Sequence, residues 1–211
     1  EGMGNFLESL GDKSGAAAAY RRAYELRPQD FYSRLRLGEV LGECGQVKEA
    51  HELLSGCVKL RPSLPDGWNS LGLVQIAQGD FAQALASYNR ALLLRPQEPG
   101  FVYYRLFCEG KMLAETNQHA QALAKYRAAI KLLPGNWEAH YEAGGELDAA
   151  GQLVAAMEEF GEAARLNPTH SRAHFNYGVL LAKLSHWDEA LFQFDVTSRL
   201  EPGYTTARAY A

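Results

Sequence analysis

Four sets of residues in this 211-residue sequence are of types that can do chemistry, and their spacing decides what each could do. Ser185-His186-x-Asp188 sets the three residue types of a hydrolytic triad side by side. Triads are assembled from neighbours in space, and adjacent positions in a turn point apart, so nucleophilic catalysis is not expected there. His170 and His174 stand four apart, a spacing that can place two imidazoles on one helix face as metal ligands. No acidic or cysteine ligand follows at metal spacing, so packing at a helix edge explains them better than a metal does. Gly144-Gly145 and Gly2-x-Gly4 follow no strand and make no phosphate loop. Cys44, Cys57 and Cys108 are odd in number and widely spaced, which fits reduced, packed cysteines rather than a disulfide framework or a metal pair. The sequence also lacks GxxxxGK[ST], HExxH, GxSxG and CxxC. The expectation is a protein that is not an enzyme and uses no cofactor and no metal.

Composition narrows the partners. The chain carries 21 Lys and Arg against 25 Asp and Glu, a net charge of -4, so no basic field favours nucleic acid or an anionic membrane. Its apolar runs, such as those at 16–19 and 92–94, are far too short to span a bilayer. Residues 1–20 lack the basic front and apolar core of a secretory leader, and the reduced cysteines fit a reducing compartment, so a cytoplasmic location is expected.

What positions these residues is a repeat. Pro28, Pro62, Pro96, Pro134, Pro168 and Pro202 are separated by 34, 34, 38, 34 and 34 residues. Gly4, Gly38, Gly72, Gly110, Gly144 and Gly178 are each followed twelve residues later by Ala16, Ala50, Ala84, Ala122, Ala156 or Ala190. Four residues further on stands Tyr20, Leu54, Tyr88, Tyr126, Phe160 or Phe194. Three markers in phase six times define six copies of one unit. The clearest copy, from Pro65 to Pro96, reads as two amphipathic helices joined by Gly79-Asp80. Gly72 and Ala84 let the helices approach, Trp68, Leu71 and Tyr88 fill the space around the contact, and Pro96 ends the second helix. The fold expected is all-α, a right-handed α-solenoid or superhelix of stacked antiparallel helix pairs.

A 34-residue helix–turn–helix with W-x2-L-G, then A-x3-Y and a closing Pro, resembles the tetratricopeptide repeat over essentially the whole chain. The expected organisation is one array, with units at 1–29, 30–63, 64–97, 98–135, 136–169 and 170–203 and a partial terminal helix at 204–211. Ser14 and Asp30 are expected N-caps. Four extra residues after Pro96 predict a first helix in unit four lengthened by one turn, from Pro99 to about Thr116. Glu109 falls where the repeat wants an apolar residue, and Arg105 is its expected partner. Neither end reads as a polar cap, so the chain is expected to be an excised part of a longer array.

The resemblance also implies where partners bind. In this family the first helix of each unit lines a concave groove, at fixed offsets from the glycine. Those offsets give Tyr32, Leu35, Arg36 and Glu39 in unit two, then Asp66, Asn69 and Leu73 in unit three. Units four and five give Tyr104, Phe107 and Lys111, then Glu138, Tyr141, Glu142 and Asp148, and unit six gives Arg172, Phe175, Asn176 and Lys183. Leu35, Phe107, Tyr141 and Phe175 share one offset and read as an apolar stripe with charged flanks, the composition of a peptide-binding surface. The Lys/Asn carboxylate clamp of chaperone-binding relatives has no match in any three consecutive units. The implied function is a protein–protein interaction scaffold for a peptide or partner segment in the groove. Two alternatives stand beside it: a non-catalytic interaction arm of a larger enzyme such as a glycosyltransferase or protease, and a structural module that self-associates through uncapped ends.

Overall fold

The computed structural model describes residues 2–203, which form twelve α-helices and no strand. The expected helix at 204–211 lies outside the described residues. The chain divides into two compact units, Glu1–Cys108 and Glu109–Ala211. The first holds α1 (Gly2–Ser9), α2 (Lys13–Leu26), α3 (Phe31–Glu43), α4 (Val47–Leu60), α5 (Pro65–Ala77) and α6 (Phe81–Leu94). The division falls within α7 (Pro99–Glu115), and the second unit continues with α8 (His119–Leu132), α9 (Trp137–Ala149), α10 (Leu153–Leu166), α11 (Ser171–Lys183) and α12 (Trp187–Leu200). The extra turn of α7 lies where the four inserted residues put it.

Each hairpin is closed by one left-handed residue. Gly11, Gly45, Gly79 and Gly151 take φ between 72° and 79°, and Asn117 and Ser185 hold the same position at 59° and 66°. The Gly79 N–H returns to the Ile76 carbonyl and the Asp80 N–H to that of Gln75, satisfying orphan carbonyls at the helix end. The second helix of every pair stops before its proline: α6 ends at Leu94 with Arg95 extended at φ -134° and ψ 85°, since proline bars its predecessor from the helical region. Asp30 and Asp80 cap α3 and α6, accepting from Ser33 N at 2.7 Å and Gln83 N at 3.0 Å. Ser14 is not a cap. Asp12 takes that role two residues earlier, accepting from Gly15 N at 2.8 Å, because it occupies the slot Asp80 holds in the third hairpin.

The glycine and the residue sixteen further on interlock in all six hairpins. A Cβ on Gly72 would stand 2.7 Å from the Tyr88 ring, and one on Gly110 2.5 Å from Tyr126. Gly144 meets Phe160 at 3.0 Å and Gly38 meets Leu54 at 2.7 Å. The alanine between them is at most 1% exposed in every copy, so two backbones close on one large side chain.

Candidate functional site

In the first unit α1, α3 and α5 present side chains to an open cleft of about 470 Å³. Arg36 is its fixed point. Its Nη2 donates to Glu8 at 2.6 Å and its Nη1 to Glu39 at 2.8 Å, and the other Glu39 oxygen accepts from Ser70 Oγ at 2.6 Å. Glu8 also accepts from the Tyr20 hydroxyl, so the chain of contacts ties α1, α2, α3 and α5 together. Burial works against the Arg36 charge. Its hydrogen bonding with Tyr20 and the two carboxylates outweighs burial and leaves the guanidinium above its ordinary range. Beside this network Asn69 carries an amide with no hydrogen-bond partner among the described residues, and Leu73 is 38% exposed. Val74 and Ala77 complete an apolar wall.

The structure thus gathers Arg36, Glu39, Asn69 and Leu73 at one cleft and places the other sequence-derived residues differently. Leu35 and Phe107 are each 5% exposed: they pack in the core, Phe107 stacked on Tyr103, whereas Asn69 at the same offset lines the cleft. Tyr104 stacks on Tyr88 at 5.4 Å, and Asp66 pairs with Arg95 at 3.5 Å across its hairpin. Tyr32 is exposed, edge-on to Phe31.

In the second unit the charged residues pair between successive first helices. Lys111 reaches Glu142 at 2.9 Å, Lys183 reaches Asp148 at 3.0 Å, and Asn176 donates to the Tyr141 hydroxyl at 3.4 Å. Tyr141 lies among Trp137, Phe160 and His170, and Phe175 tilts against Phe194 at 5.8 Å. Glu138 is half-buried in the first turn of α9 and Arg172 is exposed. Glu109 receives Lys125 at 2.5 Å from the facing helix.

The two histidines of possible metal interest are committed elsewhere. His170 Nδ1 accepts from the Ala173 N–H, and burial, with Arg172 and His174 nearby, keeps the ring below its ordinary pKa. His174 turns its Nε2 to the Pro168 carbonyl at 3.2 Å. This last contact recurs: Arg34, Trp68 and His140 each donate to the carbonyl of the proline six residues earlier, at 2.6, 2.9 and 3.2 Å. The slot read as a packing position is therefore also a donor position, and the signal was present in its four N–H-bearing side chains. Glu8 was likewise missed, although it stands four residues after Gly4, the offset that gives Asp148 in unit five. Burial pushes the Cys57 thiol up to about 12, so it is inert at neutral pH. Among the described residues no group of three or more His, Cys, Asp or Glu is placed to hold a metal, and no helix is long and apolar enough to cross a membrane.

Six interlocked hairpins with an open inner cleft define a helical-repeat protein. The chain belongs to the tetratricopeptide repeat family: one sequence profile of that description matches residues 65–98, and a second matches 2–65, 109–170 and 146–195. Such repeats serve in general as protein-interaction scaffolds. Human Protein O-mannosyl-transferase TMTC1 is 29% identical over 154 residues, 73% of this chain but 18% of that protein. The chain therefore spans about a fifth of the length of that relative. Among solved structures, a tetratricopeptide repeat protein from Parabacteroides merdae aligns over 98% of this chain and 79% of its own, with TM-score 0.73 and 12% identity. YrrB, described as a TPR protein with an unusual peptide-binding site, aligns over 92% and 97% with TM-score 0.50 and 22% identity. At these identities the structural likeness concerns the fold.

Proposed function

We propose that this chain is a non-catalytic interaction scaffold that receives an extended segment of a partner protein in the cleft of α1, α3 and α5. The observation that carries this reading is the cleft itself, where a braced Arg36–Glu39 pair stands beside an unpartnered Asn69 amide and an exposed Leu73. An amide can both donate to and accept from a peptide backbone, and Leu73 with Val74 and Ala77 offers an apolar side chain a dry wall. The peptide-binding site named for YrrB supports the class of ligand. The three free cysteines fit a reducing compartment. Peptides selected from a display library should lose at least about tenfold in affinity for Asn69→Ala or Leu73→Glu, which remove one polar and one apolar contact. Unchanged affinity in both variants, with the helical signal intact, would refute the reading.

A second reading is favoured by the length of the relative. As 18% of an O-mannosyl-transferase matches 73% of this chain, the repeats fit the interaction arm of a larger transferase. Sequencing the gene on both sides of this segment tests it, and an open reading frame with no further domain would end it.

A further inference from the structure

The six hairpins supply five internal comparisons for every exposed position. Twenty-one residues after the repeat glycine stand Glu25, Lys59, Leu93, Lys131, Arg165 and Arg199. Five are charged, and Leu93 is apolar although 72% exposed. Three residues earlier, hairpins one and five use this position in an ion pair: Arg22 with Glu25 at 3.5 Å, and Glu162 with Arg165 at 2.6 Å. The third hairpin keeps the cation, Arg90, and replaces its acid by Leu93. Arg90 is exposed and makes no hydrogen bond or ion pair with the described residues.

These two departures meet at one place. Pro62, Trp68, Arg90, Leu93 and Leu94 line a second depression of about 320 Å³ that shares no residue with the inner cleft. The Trp68 indole N–H is used by the Pro62 carbonyl, so what Trp68 has left to offer is apolar surface. The volume lies at the lower end of about 300–1,000 Å³ for ligand pockets, and Trp and Arg are the residues that most often dominate interface energetics.

We infer that this depression is a second docking site, which takes an acidic protein segment: an apolar side chain on Trp68, Leu93 and Leu94, with a carboxylate on Arg90 in the place Glu25 takes in hairpin one. The occupant's charge follows from the unpaired guanidinium, and its apolar anchor from the leucine at a position otherwise charged. The site is independent of the proposed cleft function.

The test is fluorescence anisotropy with two labelled peptides, a Leu-Phe pair flanked by Asp and Glu and the same pair flanked by Lys. Leu93→Lys installs the residue that hairpins two and four carry at this position, so the fold is kept, and its added charge can only strengthen a purely electrostatic association. The acidic probe should lose at least about tenfold in affinity with Leu93→Lys and about fivefold with Arg90→Ala, and the Lys-flanked probe should bind at least about tenfold more weakly. No binding of the acidic probe below about 1 mM, equal affinity for Leu93→Lys and the parent chain, or equal binding of the two probes would each overturn the inference.

Discussion

Replacing Gly72 by alanine puts a methyl group where the edge of the Tyr88 ring lies. The new Cβ would stand 2.7 Å from Cε2 and 2.8 Å from Cζ, against about 3.5–4.0 Å for a comfortable carbon–carbon contact. Tyr88 is fully buried and has no solvent to swing into, so the ring or the helix pair must shift, at about 1–3 kcal/mol. Against this stands the intrinsic preference for alanine over glycine inside a helix, about 1 kcal/mol. The net effect of Gly72→Ala is a loss of roughly 0–2 kcal/mol, and Gly72→Leu should fall at the upper end or beyond. Gly145, in α9, is the internal reference: it is exposed and a Cβ there meets nothing within 4 Å. Gly145→Ala should therefore gain about 1 kcal/mol, and the difference between the two variants isolates the steric cost. Urea unfolding followed by circular dichroism measures both, with hydrogen exchange to locate the damage. Because repeats couple mainly to their neighbours, protection should fall most in α3 to α7. The reasoning fails if Gly72→Ala stabilises as much as Gly145→Ala, or if protection falls evenly along the chain.

Three further outcomes follow from local contacts. His140 faces two acceptors, Glu159 at 2.7 Å and the Pro134 carbonyl at 3.2 Å; burial lowers its pKa, but these partners outweigh burial and hold it above its ordinary value. Its stabilisation is complete below about pH 6.5 and lost as pH rises through the folded-state pKa, so the stability difference between the parent and His140→Gln should shrink at alkaline pH in thermal unfolding. His170 titrates with the opposite sign, which is why the difference and not the parent curve is the readout. Gln152 begins α10 without a side-chain cap at the position where Asp12 and Asp80 cap theirs, so Gln152→Asp should gain and Asp80→Ala should lose about 0.5–2 kcal/mol in urea titrations. Glu109→Leu replaces a paired carboxylate by the residue Leu71 supplies in the third hairpin, and its unfolding midpoint should be unchanged or raised, by no more than about 1 kcal/mol.

The fold was legible because its markers are steric. A glycine pressed by a ring, an alanine between them and a proline closing the pair recur at fixed offsets, and each has one cheap solution in an antiparallel helix pair. The helix ends were legible to within a residue or two, although the cap of α2 is Asp12 and not Ser14. The groove was legible only as a set of offsets. An offset does not separate a side chain on the cleft from one beneath it, so Leu35 and Phe107 read as anchors while the structure buries them. Nor does it show which charges are already matched: Lys111 with Glu142 and Lys183 with Asp148 pair across more than thirty residues, a distance no local pattern encodes. The donor slot of Arg34, Trp68, His140 and His174 escaped because four different side chains do one job.

The most direct test of the scaffold account is nuclear magnetic resonance mapping of a selected peptide on the isotope-labelled chain. Binding in the inner cleft predicts the largest shifts at the Asn69 side-chain amide and the methyl groups of Leu73, Val74 and Ala77, with α4 and α6 little changed. Shifts confined to α4 and α6, with the Asn69 amide and the Leu73 methyls unmoved at saturation, would contradict it.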